Sequence, residues 1–296
     1  MKEKEKNILH LLLFFAMIGW GASWVNAKVL SHYINAYDMI FFRFFITAVA
    51  MVPIILYFKE SFKIDFKSFL VALVASFVFI AYMRYYFIGT KYGTAALGGA
   101  FVTTLVPILT YLFLAVFKEK KLKKKDYSAL ALGALGVLTM LNFWSFNLKE
   151  ILVVQNLYFL LASMLWPIFT IISSKAKYIS PLVYSFWLYI ITITLDGIFF
   201  VDFKTIKYQN FDFYFWINLL ALSIISSVYS NTIYFIGIKK LGAGNVSTFI
   251  FLVPFSAIIL SAIFLHEHIS ISILIGTFMT LWAIKILNNI KIKKFK

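Results

Sequence analysis

Three charged side chains stand inside long apolar stretches of the sequence, where a lipid bilayer does not tolerate an unpaired charge. They are Arg43, Arg84 and Asp196. A charge at mid-membrane costs about 2.5 to 3.5 kcal/mol on insertion scales, so such groups face a water-filled cavity or a partner of opposite sign. An arginine there can hold a carboxylate or another anionic group of a substrate, or form a gate with Asp196. Snorkelling to the headgroups and a structural ion pair are the competing interpretations of both arginines.

Polar and aromatic side chains recur at helical spacing along several of these stretches, which is typical of helices with one face toward a wet lumen. In the clearest series, Ser223, Ser227, Ser230 and Tyr234 follow one another at steps of four, three and four residues. Close packing of membrane helices through small polar residues is the competing explanation for each stripe. The substrate pathway predicted from the stripes and the arginines consists of Trp20, Ser23, Trp24, Arg43, Arg84, Trp166, Thr170, Ser227, Ser230, Asn231, Tyr234, Asn245 and Thr248.

A glutamate and three prolines complete the set of candidate residues. Glu267 stands between two histidines, and we expect it to cap or tether a helix end; a proton-sensitive gate or ion pair is the alternative. Pro107, Pro167 and Pro254 lie inside or near apolar stretches. Because proline interrupts the helical hydrogen-bond ladder, each predicts a bend, which serves either as a hinge or as fixed shape.

Membrane-spanning helices must position these side chains, because 62% hydrophobic and 14% charged residues make the chain far too apolar for a soluble domain. A helical span needs roughly 17 to 25 residues, and the sequence holds ten such stretches. They lie near residues 8–30, 36–58, 68–88, 95–117, 127–144, 151–173, 181–201, 213–236, 244–265 and 270–288. The gaps between them are too short to hold a separate soluble domain.

Charge and composition exclude several other classes of function. The formal net charge of +16 comes mostly from lysines in the short gaps between apolar runs, where basic residues fix membrane orientation rather than bind nucleic acid. The chain has no cysteine, which excludes disulfides, thiolate chemistry and clustered Cys/His metal sites. It also lacks a phosphate-binding glycine loop, a His-Glu-x-x-His motif and a Gly-x-Ser-x-Gly motif. We therefore expect no enzyme, no cofactor, no metal site and no ATP-driven pump.

The chain resembles one unit written twice. The segment 86–91, YFIGTK, returns as YFIGIK at 234–239, an offset of 148 in a chain of 296 residues. Each copy leads into an apolar span with one proline and then a glutamate, Glu119 or Glu267. With five spans in each half, the second half must insert upside down, which is the inverted repeat of many secondary transporters. The predicted repeats are 1–147 and 148–296, and the match places the first span in the mature fold rather than in a signal peptide.

These residues resemble the EamA-like branch of the drug/metabolite transporter superfamily. The resemblance rests on Trp20-Gly21-Ala22-Ser23 in the first span, Arg43-Phe44 in the second, and a proline, apolar helix, glutamate and glycine-bearing helix at the end of each half. It implies a ten-helix carrier with a central cavity, peripheral fifth and tenth helices, and export of a small metabolite by alternating access. The second half has Trp187 roughly where the first has Arg43, so the halves are not expected to use the same residues.

The sequence thus predicts an all-α polytopic membrane protein with ten transmembrane helices, arranged as two inverted five-helix repeats around a central cavity. Lysine and arginine concentrate in alternate gaps and both tails, which predicts cytoplasmic termini and an inner-membrane location. The first hypothesis is a secondary exporter of amino acids or related compounds. Uptake or exchange of an anionic metabolite, a membrane-embedded lipid-handling protein and a non-transporting scaffold are the alternatives. Expected partners are a small-molecule substrate and lipid; the small pair Ala129 and Gly133 leaves monomer and homodimer open.

Overall fold

The computed structural model describes residues 3–116, 123–145, 152–173, 175–176, 179–241 and 248–287. Throughout these residues the regular secondary structure is helical, in ten rods. They are α1 (Glu3–Leu30), α2 (Ala36–Tyr57), α3 (Phe66–Tyr92), α4 (Ala95–Val116), α5 (Lys124–Met140), α6 (Val154–Ser173), α7 (Pro181–Phe199), α8, α9 (Leu252–Phe264) and α10 (Ile271–Leu287). The rod α8 has three parts, an α-helix (Phe213–Leu220), a π-helix (Ala221–Tyr229) and an α-helix (Ser230–Leu241).

Each of the ten apolar stretches predicted from the sequence falls on one of these rods. Six of them, α1, α2, α3, α6, α7 and the first 22 residues of α8, are long and apolar enough to cross a membrane. The rods α4, α9 and α10 contain shorter apolar helices. The length and composition of the described helices therefore indicate a chain that crosses a membrane several times.

Side-chain caps set the starts of three helices. Asn35 accepts hydrogen bonds from the first amides of α2, Asp65 accepts from Ser68 in α3, and Asp212 accepts from Phe215 in α8. Such an oxygen satisfies a backbone donor that has no partner inside the helix. At Asp212 the backbone bond from Phe215 and a second bond from the hydroxyl of Tyr33 lower the pKa of the carboxyl.

The packing partners of the helices repeat with a period of five. Helix α1 packs on α8 and α9, as α6 packs on α3 and α4. Likewise α2 packs on α8 as α7 packs on α3. Exchanging each helix for the one five places away therefore maps these contacts onto one another, and it leaves unchanged the three contacts that join α2 to α7, α4 to α9 and α5 to α10. The contact of α4 with α10 is an exception, because the described residues show no comparable contact between α5 and α9.

Helices α5 and α10 cross at two glycines. A Cβ atom on Gly136 would lie 2.9 Å from the carbonyl oxygen of Gly276, and a Cβ on Gly276 would collide with the carbonyl oxygen of Gly136. A Cβ on Gly133 would meet Ile108 of α4 at 2.6 Å and Ala283 of α10 at 3.5 Å. The small residues of α5 are therefore used for packing inside one chain.

Alternate connections lie at opposite ends of the bundle. At the end that we call distal, the hydroxyl of Tyr33, after α1, donates to both carboxylate oxygens of Asp212, before α8, at 2.9 Å. At the opposite end, which we call proximal and where α1 begins, the indole of Trp187 donates to the carbonyl of Phe62 at 2.8 Å. The described chain thus passes back and forth between two ends.

Candidate functional site

Arg43 lies in the first half of α2 and is buried inside the bundle, with 7% of its surface exposed. Its Nε donates to Oγ of Ser227 on α8 at 3.1 Å, and its Nη1 donates to Sδ of Met83 on α3 at 3.7 Å. No carboxylate among the described residues forms an ion pair with it. Because guanidinium carries five donors in a rigid fork, this buried cation retains unused capacity for an anionic group.

Three buried tyrosines are electrostatic neighbours of the guanidinium, Tyr82 and Tyr86 on α3 and Tyr189 on α7. The guanidinium carbon also lies 5.2 and 5.9 Å from the ring centres of Phe44 and Phe87. The hydroxyl of Tyr86 donates to the carbonyl oxygen of Ser23 on α1 at 2.9 Å, and its ring centre lies 4.3 Å from that of Trp24. The cation is therefore set in an aromatic wall. Such a wall suits a solute that joins an anionic group to an apolar body.

A chain of hydrogen bonds links α1, α8 and α7 beside this wall. Nε1 of Trp20 donates to Oδ1 of Asn231 at 3.0 Å, and Nδ2 of Asn231 donates to the hydroxyl of Tyr189 at 2.7 Å. The ring centre of Trp20 also lies 5.0 Å from that of Tyr234. These contacts tie the first half of the chain to the second at the same place as Arg43.

Helix α6 completes the wall with Trp166, whose ring centre lies 4.7 Å from that of Tyr82. Ten of these residues form what we call the central cluster. Its members are Trp20, Ser23, Trp24, Arg43, Tyr82, Tyr86, Trp166, Tyr189, Ser227 and Asn231. Because these side chains contact one another, the conformation is closed around Arg43, and the predicted open central cavity is not seen at this position.

Two cavities lie away from the central cluster. One cavity, of about 180 Å³, lies near the distal end. It is lined by side chains of α2, α3 and the end of α7, including Tyr37, Arg84 and Phe200. The other, of about 480 Å³, lies toward the proximal end between α2 and α8, beside Pro53 and Tyr229, and its walls are almost wholly apolar.

Most of the predicted pathway residues meet in or beside the central cluster, but some do not. Ser230 is buried against α1, where a Cβ on Gly19 would lie 2.5 Å from its hydroxyl, and this hydroxyl donates to the carbonyl of Ile225 at 2.8 Å. Its role in the structure is helix packing. Asn245 lies outside the described residues, and the side chain of Thr248 does as well.

Arg84 and Thr170 do not join the central cluster. Arg84 is exposed, and its guanidinium carbon lies 5.2 Å from the ring centre of Tyr37. Thr170 is exposed, and its hydroxyl donates to the carbonyl of Trp166 one turn back in α6. In this conformation Arg84 therefore lies at the surface of the bundle, whereas Arg43 is buried inside it.

Glu267 is a helix cap. Its carboxylate accepts hydrogen bonds from the amides of Ala95 at 2.8 Å and Ala96 at 2.9 Å, the first two residues of α4. Lys28, an electrostatic neighbour of Glu267, donates to the carbonyl of Gly93 at 2.7 Å in the turn before α4. Since both carboxylate oxygens already bind amides, the alternative role as a gate does not fit this geometry.

Asp196 is not paired with an arginine. It is 0% exposed, and neither of its carboxylate oxygens has a hydrogen-bond partner in the described part of the chain. The predicted ion pair is absent because Arg43 is bonded to Ser227 and Arg84 lies at the surface over Tyr37. Its electrostatic neighbour is another acid, Asp38 of α2.

The prolines occupy different positions in their helices. Pro167 lies in the interior of α6, where it removes a backbone donor as predicted. Pro254 is the third residue of α9, which directly continues a 3-10 helix at Thr248–Phe251, so it stands just after the change from one helix type to the other. Pro107 lies within α4, and its side chain is not among those that the structure describes. Pro53, inside α2, was missed and lines the larger cavity.

Sequence reasoning also missed the tyrosines and the π-helix. Tyr82 and Tyr86 stand four residues apart, which places them on one face of α3. This spacing is the sequence signal by which Tyr82 and Tyr86 could have been identified, whereas no such signal marks Tyr189. The hydroxyl of Ser227 in the π-helix and that of Ser230 directly after it donate to carbonyls five residues back, at 3.2 and 2.8 Å. π-Helical segments within α-helices are frequent at functional sites, and this one contains Ser227, which accepts a hydrogen bond from Arg43.

Comparison with known proteins gives three findings. The sequence model of the EamA-like transporter family matches residues 7–142 and again residues 154–289. The uncharacterized transporter YvbV of Bacillus subtilis (strain 168) is 25% identical over 295 residues, covering 98% of this chain and 94% of that protein. The uncharacterized transporter YyaM of the same organism is 25% identical over 268 residues, covering 87% and 86%. A crystal structure that shares 18% identity has the same fold, with a TM-score of 0.61 over 95% of this chain and 96% of the other.

Proposed function

The chain belongs to the EamA-like transporter family, and from this premise we propose that it is a secondary transporter that exports amino acids or related compounds by alternating access. Membership of the family makes it a multi-pass membrane transporter of small molecules. The observation that carries the finer proposal is the buried Arg43, which lies among aromatic rings without a carboxylate partner in the described residues.

An amino acid offers the groups that this site lacks. Its carboxylate can take the free donors of Arg43 in a two-pronged hydrogen bond. Its ammonium can bind the acceptor Oδ1 of Asn231 or the face of a tryptophan, and an apolar side chain can replace ring contacts among Tyr82, Tyr86 and Trp166. The site therefore favours amino acids with apolar or aromatic side chains over strongly hydrophilic solutes.

The proposed architecture is ten membrane spans in two inverted repeats, 1–147 and 148–296. Two observations support it: packing partners recur with a period of five helices, and the family matches the chain twice over segments of similar length. The central cluster takes residues from both repeats, so a movement of one repeat against the other would open it toward one end at a time. The closed conformation described above is then an occluded state of the cycle.

We place the protein in the inner membrane with its proximal end in the cytoplasm. Exposed lysines are concentrated at that end, for example Lys59, Lys67 and Lys124, in agreement with the positive-inside rule. Both termini then face the cytoplasm, and the distal end with Asp212 and Glu267 faces outward.

The test is counterflow in proteoliposomes with a panel of labelled amino acids, nucleosides and carboxylates. We expect exchange of at least one apolar amino acid, lost in Arg43→Ala and reduced in Trp166→Ala, with Arg84→Ala as the matched control that retains it. A purified, folded protein that exchanges nothing in the panel would overturn the proposal. Equal exchange by wild type and Arg43→Ala would overturn the proposed binding site.

A second candidate function, exchange or uptake of an anionic metabolite, is favoured by the same unpaired guanidinium. The panel separates the two functions, because a carrier of anionic metabolites would exchange labelled carboxylates that have no amino group and would ignore amino acids. The direction of transport is measured with intact cells that have been loaded with the exchanged solute.

A further inference from the structure

A second buried polar group lies outside the central cluster, between α7 and α2 near the distal end. Asp196 and Thr192 stand one turn apart on the same face of α7, and both are 0% exposed. Facing them, Asp38 of α2 is buried as well, and its Oδ2 accepts a hydrogen bond from Asn35 at 2.7 Å. Oδ1 of Asp38, both carboxylate oxygens of Asp196 and the hydroxyl of Thr192 have no partner in the described chain.

Ordinary counter-charges are missing around Asp196. Helix α2 carries only Asp38 and Arg43 as charged residues, and Arg43 is bonded to Ser227. Helix α3 carries one charged side chain between its ends, Arg84, which lies over the ring of Tyr37 at the surface.

The ends of α7 and α8 beside this site carry acids, and the lysines of the loop between them, Lys204 and Lys207, are exposed. Helix α8, capped by Asp212, has no charged side chain before Lys239. In the loop after α7, Asp202 is an electrostatic neighbour of Asp38 and thus adds a further negative charge. A buried carboxylate without cation or hydrogen-bond donor is strongly unfavourable while ionised, whereas its neutral form is tolerated. The site therefore calls for a positively charged ligand.

The geometry favours a proton over a metal ion as this ligand. Metal ions need several oxygen ligands, and sodium sites of transporters recruit backbone carbonyls from unwound helices. Here α7 is a continuous α-helix from Pro181 to Phe199, so it offers no unwound segment at Asp196, whose own carbonyl accepts from the amides of Phe200 and Val201. Within the described residues no group of three or more acids or histidines could hold a metal.

We propose that Asp196, with Asp38 as its neighbour, is the proton-binding carboxyl that couples a proton gradient to transport. The inference rests on the proposed transport function and names its energy source. Asp196 takes up a proton from the distal side to form a neutral carboxylic acid, the closed state buries it, and the proton leaves to the proximal side after the conformational change. Because closure around an ionised Asp196 is unfavourable, the carrier cannot complete this step without the proton.

The experiment separates exchange from coupling in proteoliposomes that contain the pH-sensitive dye pyranine. Labelled phenylalanine is the probe, because it joins a carboxylate to an aromatic ring. We expect wild type to catalyse counterflow without a pH gradient, to accumulate phenylalanine under a pH gradient, and to move protons when a phenylalanine gradient is imposed. Asp196→Asn should keep counterflow and lose both the gradient-driven accumulation and the proton flux.

Matched controls keep the result decisive. Glu5→Gln removes an exposed acid near the start of α1 and should retain coupling, and Asp196→Glu should retain part of it. If wild type shows counterflow but no proton flux, or if a sodium gradient alone drives accumulation, the proton site is overturned while the proposed transport stands. The same holds if Asp196→Asn remains fully coupled. If Asp196→Asn does not fold, the wild-type proton flux and Asp38→Asn still decide the question. If folded wild type carries neither phenylalanine nor any other panel solute, the proposed function fails and this inference with it.

Discussion

Ser227 of α8 accepts a hydrogen bond from Nε of Arg43 on α2, over an Nε to Oγ distance of 3.1 Å and a sequence separation of 184 residues. The bond holds the guanidinium between helices of the two proposed repeats, and it uses one of the five donors, while Nη1 is directed at Sδ of Met83. The function proposed above depends on the shape of this group and not on its charge alone.

Arg43→Lys tests the importance of that shape. Lysine keeps the positive charge but cannot form two parallel hydrogen bonds with a carboxylate. A hydrogen bond to a charged group contributes about 1.5 to 3 kcal/mol, so we expect the affinity for the carried amino acid to fall roughly 10- to 100-fold. Counterflow at graded solute concentrations measures this change. Wild-type affinity in Arg43→Lys would mean that the site recognises charge only.

Asn231→Ala tests the chain of hydrogen bonds between Trp20 and Tyr189. The substitution leaves the indole N–H and the tyrosine hydroxyl without their partner, and each unsatisfied buried group costs about 1 to 3 kcal/mol. We expect lower stability in detergent, measured by denaturant unfolding. The control on the same helix is Asn218→Ala, whose amide bonds only to the carbonyl of Tyr214 at the surface. Equal loss in both variants would contradict a special role for Asn231.

Glu267→Ala tests the cap of α4. Loss of an N-terminal cap costs about 0.5 to 2 kcal/mol, and here two amides lose their acceptor. We expect a lower unfolding midpoint with counterflow retained at low temperature, and a smaller effect for Glu267→Gln because one amide oxygen remains. Glu5→Gln, near the start of α1, is the neutral control. Abolished counterflow in a stable Glu267→Gln protein would instead restore the gate interpretation.

Gly276→Ala tests the crossing of α5 and α10. The added methyl group collides with the backbone of Gly136 and with Met140, and overpacking of this kind costs about 1 to 3 kcal/mol. We expect a lower thermal midpoint in detergent. Leu274→Ala changes an exposed side chain of the same helix and should have little effect. An unchanged midpoint in Gly276→Ala would show that the two helices can separate at little cost.

Single cysteines test the proposed orientation, and the chain is suited to this because it contains none. Ser61→Cys lies in the connection between α2 and α3 at the proximal end, and His268→Cys lies between α9 and α10 at the distal end. In intact cells a membrane-impermeant maleimide should label His268→Cys and leave Ser61→Cys unlabelled until the membrane is broken. Labelling of both positions from outside would refute the alternating topology.

The ten helices could be predicted from the sequence because length and hydropathy are local properties of a span. The cap at Glu267 was also accessible, since a lone acid just past an apolar stretch commonly ends beside a helix terminus. Periodicity correctly grouped Trp20 and Ser23 on one face of α1. These successes all come from neighbours in the chain.

The errors arise where the answer depends on the rotation of one helix against another. Position along a span gives the depth of a charged group but not the direction in which its helix turns it, so the sequence alone separates neither the exposed Arg84 from the buried Arg43 nor Asp196 from both arginines. Tyr82 and Tyr86 were missed for a different reason. With 20% aromatic residues, an extra tyrosine pair at helical spacing does not stand out.

The π-helix over Ala221–Tyr229 has a further consequence for α8. Hydrogen bonds that reach five residues back instead of four place more residues in each turn, so every side chain after Tyr229 is swung about the axis of the rod relative to an uninterrupted α-helix. Asn231 and Tyr234 contact Trp20 because of this rotation about the helix axis. The angular phase of α8 after Tyr229, and with it the contacts of Asn231 and Tyr234 to α1, is therefore set by one short segment rich in serine.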